Sequence, residues 1–109
     1  VGVSDPKLLA AIGEMEENLE EPLPLPAIAD AVGLSTRQLE RLFKKHLGRT
    51  PSRYYRELRL HHARLMLMQG SASILSIALA AGFVSASHFS RRYREYFGRT
   101  PREERRGAV

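Results

Sequence analysis

The sequence predicts an all-α fold: two copies of a short helix, a tight glycine turn and a basic amphipathic helix, joined by a long linker helix, about seven helices in all. Three observations lead there. Apolar residues recur at helical spacing along nearly the whole chain, with no run of alternating strand residues. The stretches GLSTRQLERLFKKHLGRTP (residues 33–51) and AGFVSASHFSRRYREYFGRTP (residues 81–101) follow one plan and close on the same Gly-Arg-Thr-Pro. Between them an unbroken helical pattern starts at Pro51.

Taken in order, Asp5-Pro6 caps and starts a first helix whose Leu8, Ile12, Met15 and Leu19 share a face. Three prolines in EEPLPLP then impose an extended connection. A second, short helix starts near Pro26, carries Ile28, Ala29 and Val32, and stops at Gly33. Ser35 and Gln38 have capping-box spacing and start a third helix running to about Leu47, with Leu39, Leu42, Phe43 and Leu47 as its buried stripe. Thr50-Pro51 opens the linker helix, which runs to about Gln69 with Tyr54, Leu58, Ala63 and Leu67 available for packing. Nineteen residues in a helix span about 28 Å. A fifth helix, about Ser73 to Ala81, matches the second in character, AIADAVG against SIALAAG. The sixth is placed like the third, with Phe89, Tyr93 and Phe97 spaced for the interior, and Thr100 with Glu103 forms a capping box for a short terminal helix.

The two copies are offset by 49 residues at Gly33 and Gly82 and by 50 from Ser35 and Ser85 onward. One residue has therefore been added in the second turn, where insertion costs least. The expected organisation is an acidic N-terminal helix and interdomain connection over 1–24, a first helix-turn-helix unit over 25–50, the linker helix over 51–70, and a second unit with its terminal helix over 71–106.

A chain of 109 residues folds as one small domain, or two very small ones sharing a helix, without room to enclose a substrate. That favours a binding module over an enzyme. Cysteine is absent, which removes disulfides, thiolate metal sites and cysteine nucleophiles. No apolar run approaches the roughly 20 residues that cross a bilayer, and the expected location is the cytoplasm. The net charge of +5 is unevenly spread: residues 1–34 carry −6, residues 35–69 carry +7 and residues 85–109 carry +4. Positive charge gathers on and after the repeated stretches, as on a surface that follows a polyanion.

A short helix, a turn and a second amphipathic helix is the arrangement that places its second helix in a DNA major groove. On the third helix Arg37 and Arg41, four apart, present from one face, and arginine bonds guanine through two atoms. Glu40 can accept from cytosine or orient an arginine. On the sixth helix Ala86, Ser87, Ser90 and Arg91 lie toward the groove, with Ala86 able to meet a thymine methyl and Arg91 the strongest base-reading candidate. Lys44, Lys45, Arg49, Arg53, Arg92, Arg94 and Arg99 are placed for phosphate or solvent, and Ser35, Thr50, Ser85 and Thr100 begin helices whose free N–H groups can hold a phosphate.

Two such units in this order make a specific pattern. From about Leu25 to Arg105 the chain resembles the DNA-binding domain of the AraC/XylS family of bacterial transcription regulators. The resemblance is carried by IADAVGLSTRQLERLFKKHLGRTPSRYYRELRLHHARLML and SILSIALAAGFVSASHFSRRYREYFGRTPREER. It implies two recognition helices addressing successive major-groove segments of promoter DNA. By motif position it puts the base-facing sites on Arg37, Glu40, Arg41, Ala86, Ser87, Ser90 and Arg91, with His88 also near DNA. It further implies contact with RNA polymerase, and dimerisation through a missing N-terminal domain of the DJ-1/PfpI, glutamine amidotransferase-like kind.

Other chemistry finds little footing. His61 and His62 point to different sides of a helix, His46 and His88 lie in separate units, and neither HxxxH nor HExxH occurs, so no metal site is expected. No serine sits in GxSxG and no glycine-rich phosphate loop is present, so neither a catalytic residue nor a cofactor is expected. The competing readings are a helical protein-interaction module, with Met66 and Met68 as candidate exposed apolar residues, and a nonspecific nucleic-acid binder.

Overall fold

The computed structural model describes residues 5–107, so residues 1–4 of the expected 1–24 segment lie outside the described part. Seven helices follow in order: α1 (Pro6–Glu16), α2 (Leu25–Ala31), α3 (Thr36–Leu47), α4 (Pro51–Gln69), α5 (Ile74–Ala80), α6 (Ala86–Phe97) and α7 (Pro101–Gly107). The fold is all-α, and the chain divides into two compact units, Val1–Arg56 and Glu57–Val109, with the division falling inside α4.

In the first unit α1 packs on both α2 and α3, and α2 packs on α3. Asp5 caps α1 by accepting from the amides of Lys7 and Leu8. The buried face of α1 is Leu8, Ala11 and Met15, whereas Ile12 is half-buried and Leu19 lies beyond the helix. The helix stops earlier than its apolar spacing predicts because Asn18 competes for its last carbonyls: the side-chain amide donates to Glu14 O at 2.8 Å and the backbone amide to Met15 O. The proline-rich connection is then pinned by Tyr55 near the start of α4. Its hydroxyl donates to Asn18 O and accepts from the amide of Leu23. Tyr54, the neighbour that the helical spacing pointed to, is half-buried and meets Phe43 edge-on.

In the second unit the core is Leu60, Ala63 and Leu67 of α4, Ile77, Ala78, Ala81 and Phe83 around α5, and Phe89 and Tyr93 of α6. Met66, Ile74 and Phe97 close it from the side. Each large side chain fully removed from water contributes about 1.5–3 kcal/mol, and several per unit are what such a small domain needs.

The two glycine turns are built alike. Gly33 and Gly82 both adopt positive φ, 74° and 84°, and the following residue reaches back five positions: Leu34 N–H to Ala29 O and Phe83 N–H to Ala78 O, each at 2.9 Å. A β-carbon is costly at such φ, which explains glycine at both positions. The residue added to the second turn is accommodated outside it, with Val84 85% exposed. Ser35 and Gln38 form a reciprocal capping box, as do Thr100 and Glu103, while Ser85 and Thr50 each accept from the amide three residues on.

Candidate nucleic-acid interface

Along α3 the fully buried Leu39 and Phe43 fix one side of the helix, and 100° per residue then decides what the other side shows. Arg37, Glu40, Arg41, Lys44 and Lys45 are all exposed and fall on one arc of that wheel. The capping box holds the start of this helix, and its last turn carries Lys44, Lys45 and His46, which favourably face its carbonyl end. An open cleft of about 590 Å³ borders the same face, lined in part by Gln38, Arg41, Leu42 and Lys45.

On α6 the burial of Phe89 and Tyr93 does the same work. Ser87, Arg91 and Arg94 are exposed, whereas Ala86, Ser90 and His88 are half-buried. Ala86, Ser87 and Ser90 line a cleft of about 600 Å³ with Ser73 and Thr100, so the small side chains lie on the wall of a recess rather than on a ridge. The His88 ring packs against Phe83, with centroids 5.6 Å apart. The two helices therefore offer unlike surfaces, long charged side chains on α3 and a shallow, mostly small-residue surface with Arg91 at its margin on α6.

The residues expected at phosphate divide by what else they do. Lys44, Lys45, Arg53 and Arg94 are exposed, as are the cap residues Ser35 and Thr50, while Ser85 and Thr100 are half-buried. Arg49 donates from Nε to Leu47 O, Arg92 bonds Glu95 at 3.4 Å, and Arg99 reaches Glu103 O and lies 3.6 Å from Glu104. At the start of α7 the Glu103 carboxylate takes the Thr100 amide at 2.8 Å, and these backbone and hydroxyl bonds from Thr100 hold its carboxyl below the usual range. Its negative charge already sits where an approaching phosphate would seek that amide.

Deeper in the second unit a polar group appears that helical spacing did not single out. Glu104, 3% exposed, accepts from the Tyr93 hydroxyl at 2.9 Å and lies 3.3 Å from Arg64. Burial, followed by the hydrogen bond to Glu104, pushes the Tyr93 phenol well above its ordinary value. Arg59, likewise absent from the expected interface, donates to Gly82 O at the second turn. The sequence signal for Arg59 was its place in a repeated pattern, Arg59 preceding Leu60 as Lys7 precedes Leu8.

Among the described residues no group of three or more His, Asp or Glu is placed to hold a metal ion, and no helix is long and apolar enough to cross a membrane.

A sequence profile for a helix-turn-helix domain matches residues 28–107, most of the chain. A crystal structure of a transcriptional regulator from Chromobacterium violaceum, described as containing an AraC-type DNA-binding domain, superposes with a TM-score of 0.93 at 57% identity, covering 95% of this chain and 93% of that one. The chain belongs to the AraC-type helix-turn-helix family. The DNA-binding domain of AdpA, a global transcriptional factor, solved in complex with a target DNA, shares the fold at a TM-score of 0.86 and 25% identity, over 95% of this chain and 93% of that one. The HTH-type transcriptional regulator ArgR of Pseudomonas aeruginosa is 57% identical over 105 residues, 96% of this chain and 32% of that protein. The chain thus spans about a third of the length of the curated relatives it matches.

Proposed function

We propose that this chain is the DNA-reading domain of a bacterial transcription regulator, binding promoter DNA in the cytoplasm without covalent chemistry. Residues 25–50 and 71–106 act as its two helix-turn-helix units and residues 51–70 as the linker helix. The observation that carries this reading is the paired surface of α3 and α6. Each helix turns two fully buried core residues inward and holds an arginine at the matching place, Arg41 and Arg91, outward.

In this reading Arg37, Glu40 and Arg41 meet base edges from α3, while Ala86, Ser87, His88, Ser90 and Arg91 form the α6 surface. Lys44, Lys45 and Arg94 seat the domain on phosphate, and Arg49, Arg53, Arg92 and Arg99 add to the same basic surface. The C. violaceum regulator, with its AraC-type DNA-binding domain, and the AdpA domain, solved on a target DNA, support the DNA-binding part of this proposal. The remainder of the protein is proposed to be an N-terminal domain of the DJ-1/PfpI-like kind that dimerises, and the DNA-bound protein is proposed to touch RNA polymerase.

Selection from a randomised duplex library, at moderate and at higher salt, tests the core of the proposal. Enrichment of two short sequence elements that persists at higher salt is the expected result. Binding without enrichment that vanishes with salt would reduce the domain to a nonspecific polycation.

A further inference from the structure

Arg59 stands on α4 within the second unit and contacts two residues of the α5–α6 turn. Its Nη1 donates to Gly82 O at 2.8 Å, and its guanidinium carbon lies 4.6 Å from the centroid of the Phe83 ring. Phe83 is 3% exposed and in turn meets His88 at 5.6 Å and Phe89 at 5.3 Å, both in the first turns of α6. A planar, permanently charged fork can satisfy a turn carbonyl and cover an aromatic face together, which a flexible ammonium does less well.

The first unit carries a cation in the same register. A shift of 52 residues places Leu8, Ala11 and Met15 on Leu60, Ala63 and Leu67, all of them buried, and places Lys7 on Arg59. Lys7 Nζ stands 3.7 Å from the point where a β-carbon on Gly33 would lie. A basic side chain from the helix before each helix-turn-helix thus reaches the glycine of its turn, at a place the apolar core does not require.

We infer that Arg59 is a positioning residue for DNA reading by α6. By holding Gly82 and Phe83 it sets the angle at which α6 leaves the turn, and so where Ser87, Ser90 and Arg91 come to rest. Arg59 acts through the turn and through Phe83, not by touching a base. The inference rests on the reading of α6 as a recognition helix.

The test compares base preferences of folded variants, each checked by helical circular dichroism, using the duplexes recovered from the wild-type selection. Arg41→Ala and Arg91→Ala first mark the base pairs that depend on α3 and on α6. Arg59→Met keeps an unbranched apolar stem but removes the donor and the charge. It is expected to lower affinity for the selected duplex about tenfold, the worth of roughly one base contact. That loss should fall on the base pairs marked by Arg91, leave those marked by Arg41 intact, and leave the salt slope unchanged; Arg59→Lys should recover part of it. Phe83→Leu, which installs the side chain found after the first turn, tests the relay separately and is expected to disturb the same base pairs.

Equal weakening on selected and scrambled DNA with a shallower salt slope would make Arg59 a phosphate contact and overturn the inference. Unchanged preferences in folded Arg59→Met, or in folded Phe83→Leu should Arg59→Met fail to fold, would overturn it as well. If Arg91→Ala marks no base pair at all, the reading of α6 itself falls, whatever Arg59 does.

Discussion

Tyr93 and Glu104 meet in the interior of the second unit, the tyrosine hydroxyl donating to Oε1 at 2.9 Å with both side chains shielded from water. This bond ties α6 to α7, and Arg64 brings α4 to the same carboxylate. The arginine side chains are about two-fifths exposed, 42% for Arg64 and 43% for Arg99, so water screens much of their attraction and the buried hydrogen bond carries most of the weight. Glu104→Ala is expected to cost about 2–3 kcal/mol by leaving the hydroxyl without its acceptor, and Tyr93→Phe about 1.5 kcal/mol. Urea denaturation of both singles and the double checks this. A double variant no more destabilised than Glu104→Ala shows coupling, whereas simple addition would mean the two residues act apart.

The same phenol predicts a response to alkali. Its folded pKa is raised, first by burial and then by Glu104, so the folded chain keeps a proton that the unfolded chain releases near pH 10. Its stabilising contribution is complete below that pH and declines as pH rises further. The stability gap between wild type and Tyr93→Phe should therefore narrow above about pH 10, with the phenolate absorbance that distinguishes wild type from the variant appearing late in the titration. A gap that stays constant to pH 11 and beyond would contradict the assignment.

Arg41 and Lys45 share the exposed face of α3, yet they are expected to fail differently. Arg41→Ala should cost about 1–3 kcal/mol on selected DNA and relax the choice at one base pair. Lys45→Ala should weaken selected and scrambled duplexes alike and reduce the salt slope by about 1. Fluorescence anisotropy titrations on both duplexes across a salt series separate the two, and equal losses for Arg41→Ala would remove it from the base-reading set.

Gly48 closes α3 at φ 69°, and a β-carbon there would meet no atom within 4 Å. Gly48→Ala should therefore carry only the intrinsic penalty of the left-handed conformation, about 1–2 kcal/mol, with Asn cheaper than Ala. Thermal melts are the measurement. A larger loss would mean the turn is also constrained by packing, and altered base preference would mean that the turn steers α3.

Helix type and order were legible in the sequence because α3 and α6 combine strong apolar stripes with caps at both ends: Ser35 and Gly48, Ser85 and Gly98. The early stop of α1 was not, since an asparagine side chain taking a carbonyl looks the same in sequence as one facing water. Tyr55 and Tyr54 adjoin, and only the fold decides that Tyr55 reaches back to Asn18 and Leu23. On the candidate interface, the outward direction of Arg37 and Arg41 follows from the positions of Leu39 and Phe43 between and beyond them. The recess holding Ala86 and Ser90, and the internal engagement of Arg92 and Arg99, depend on neighbours distant in sequence or on rotamers. Periodicity carries no trace of those.

The fifty-residue register has a practical corollary. Leu39 and Phe43 occupy the places of Phe89 and Tyr93, so Arg37, Glu40 and Arg41 correspond one for one with Ser87, Ser90 and Arg91. The outer face of one helix is thus written in the same frame as the other, over interiors that need not be rewritten. Such a chain is a two-slot cassette: a side chain tried on the outer face of one helix has a defined counterpart position on the other, while the core and turn contacts beneath each face stay in place.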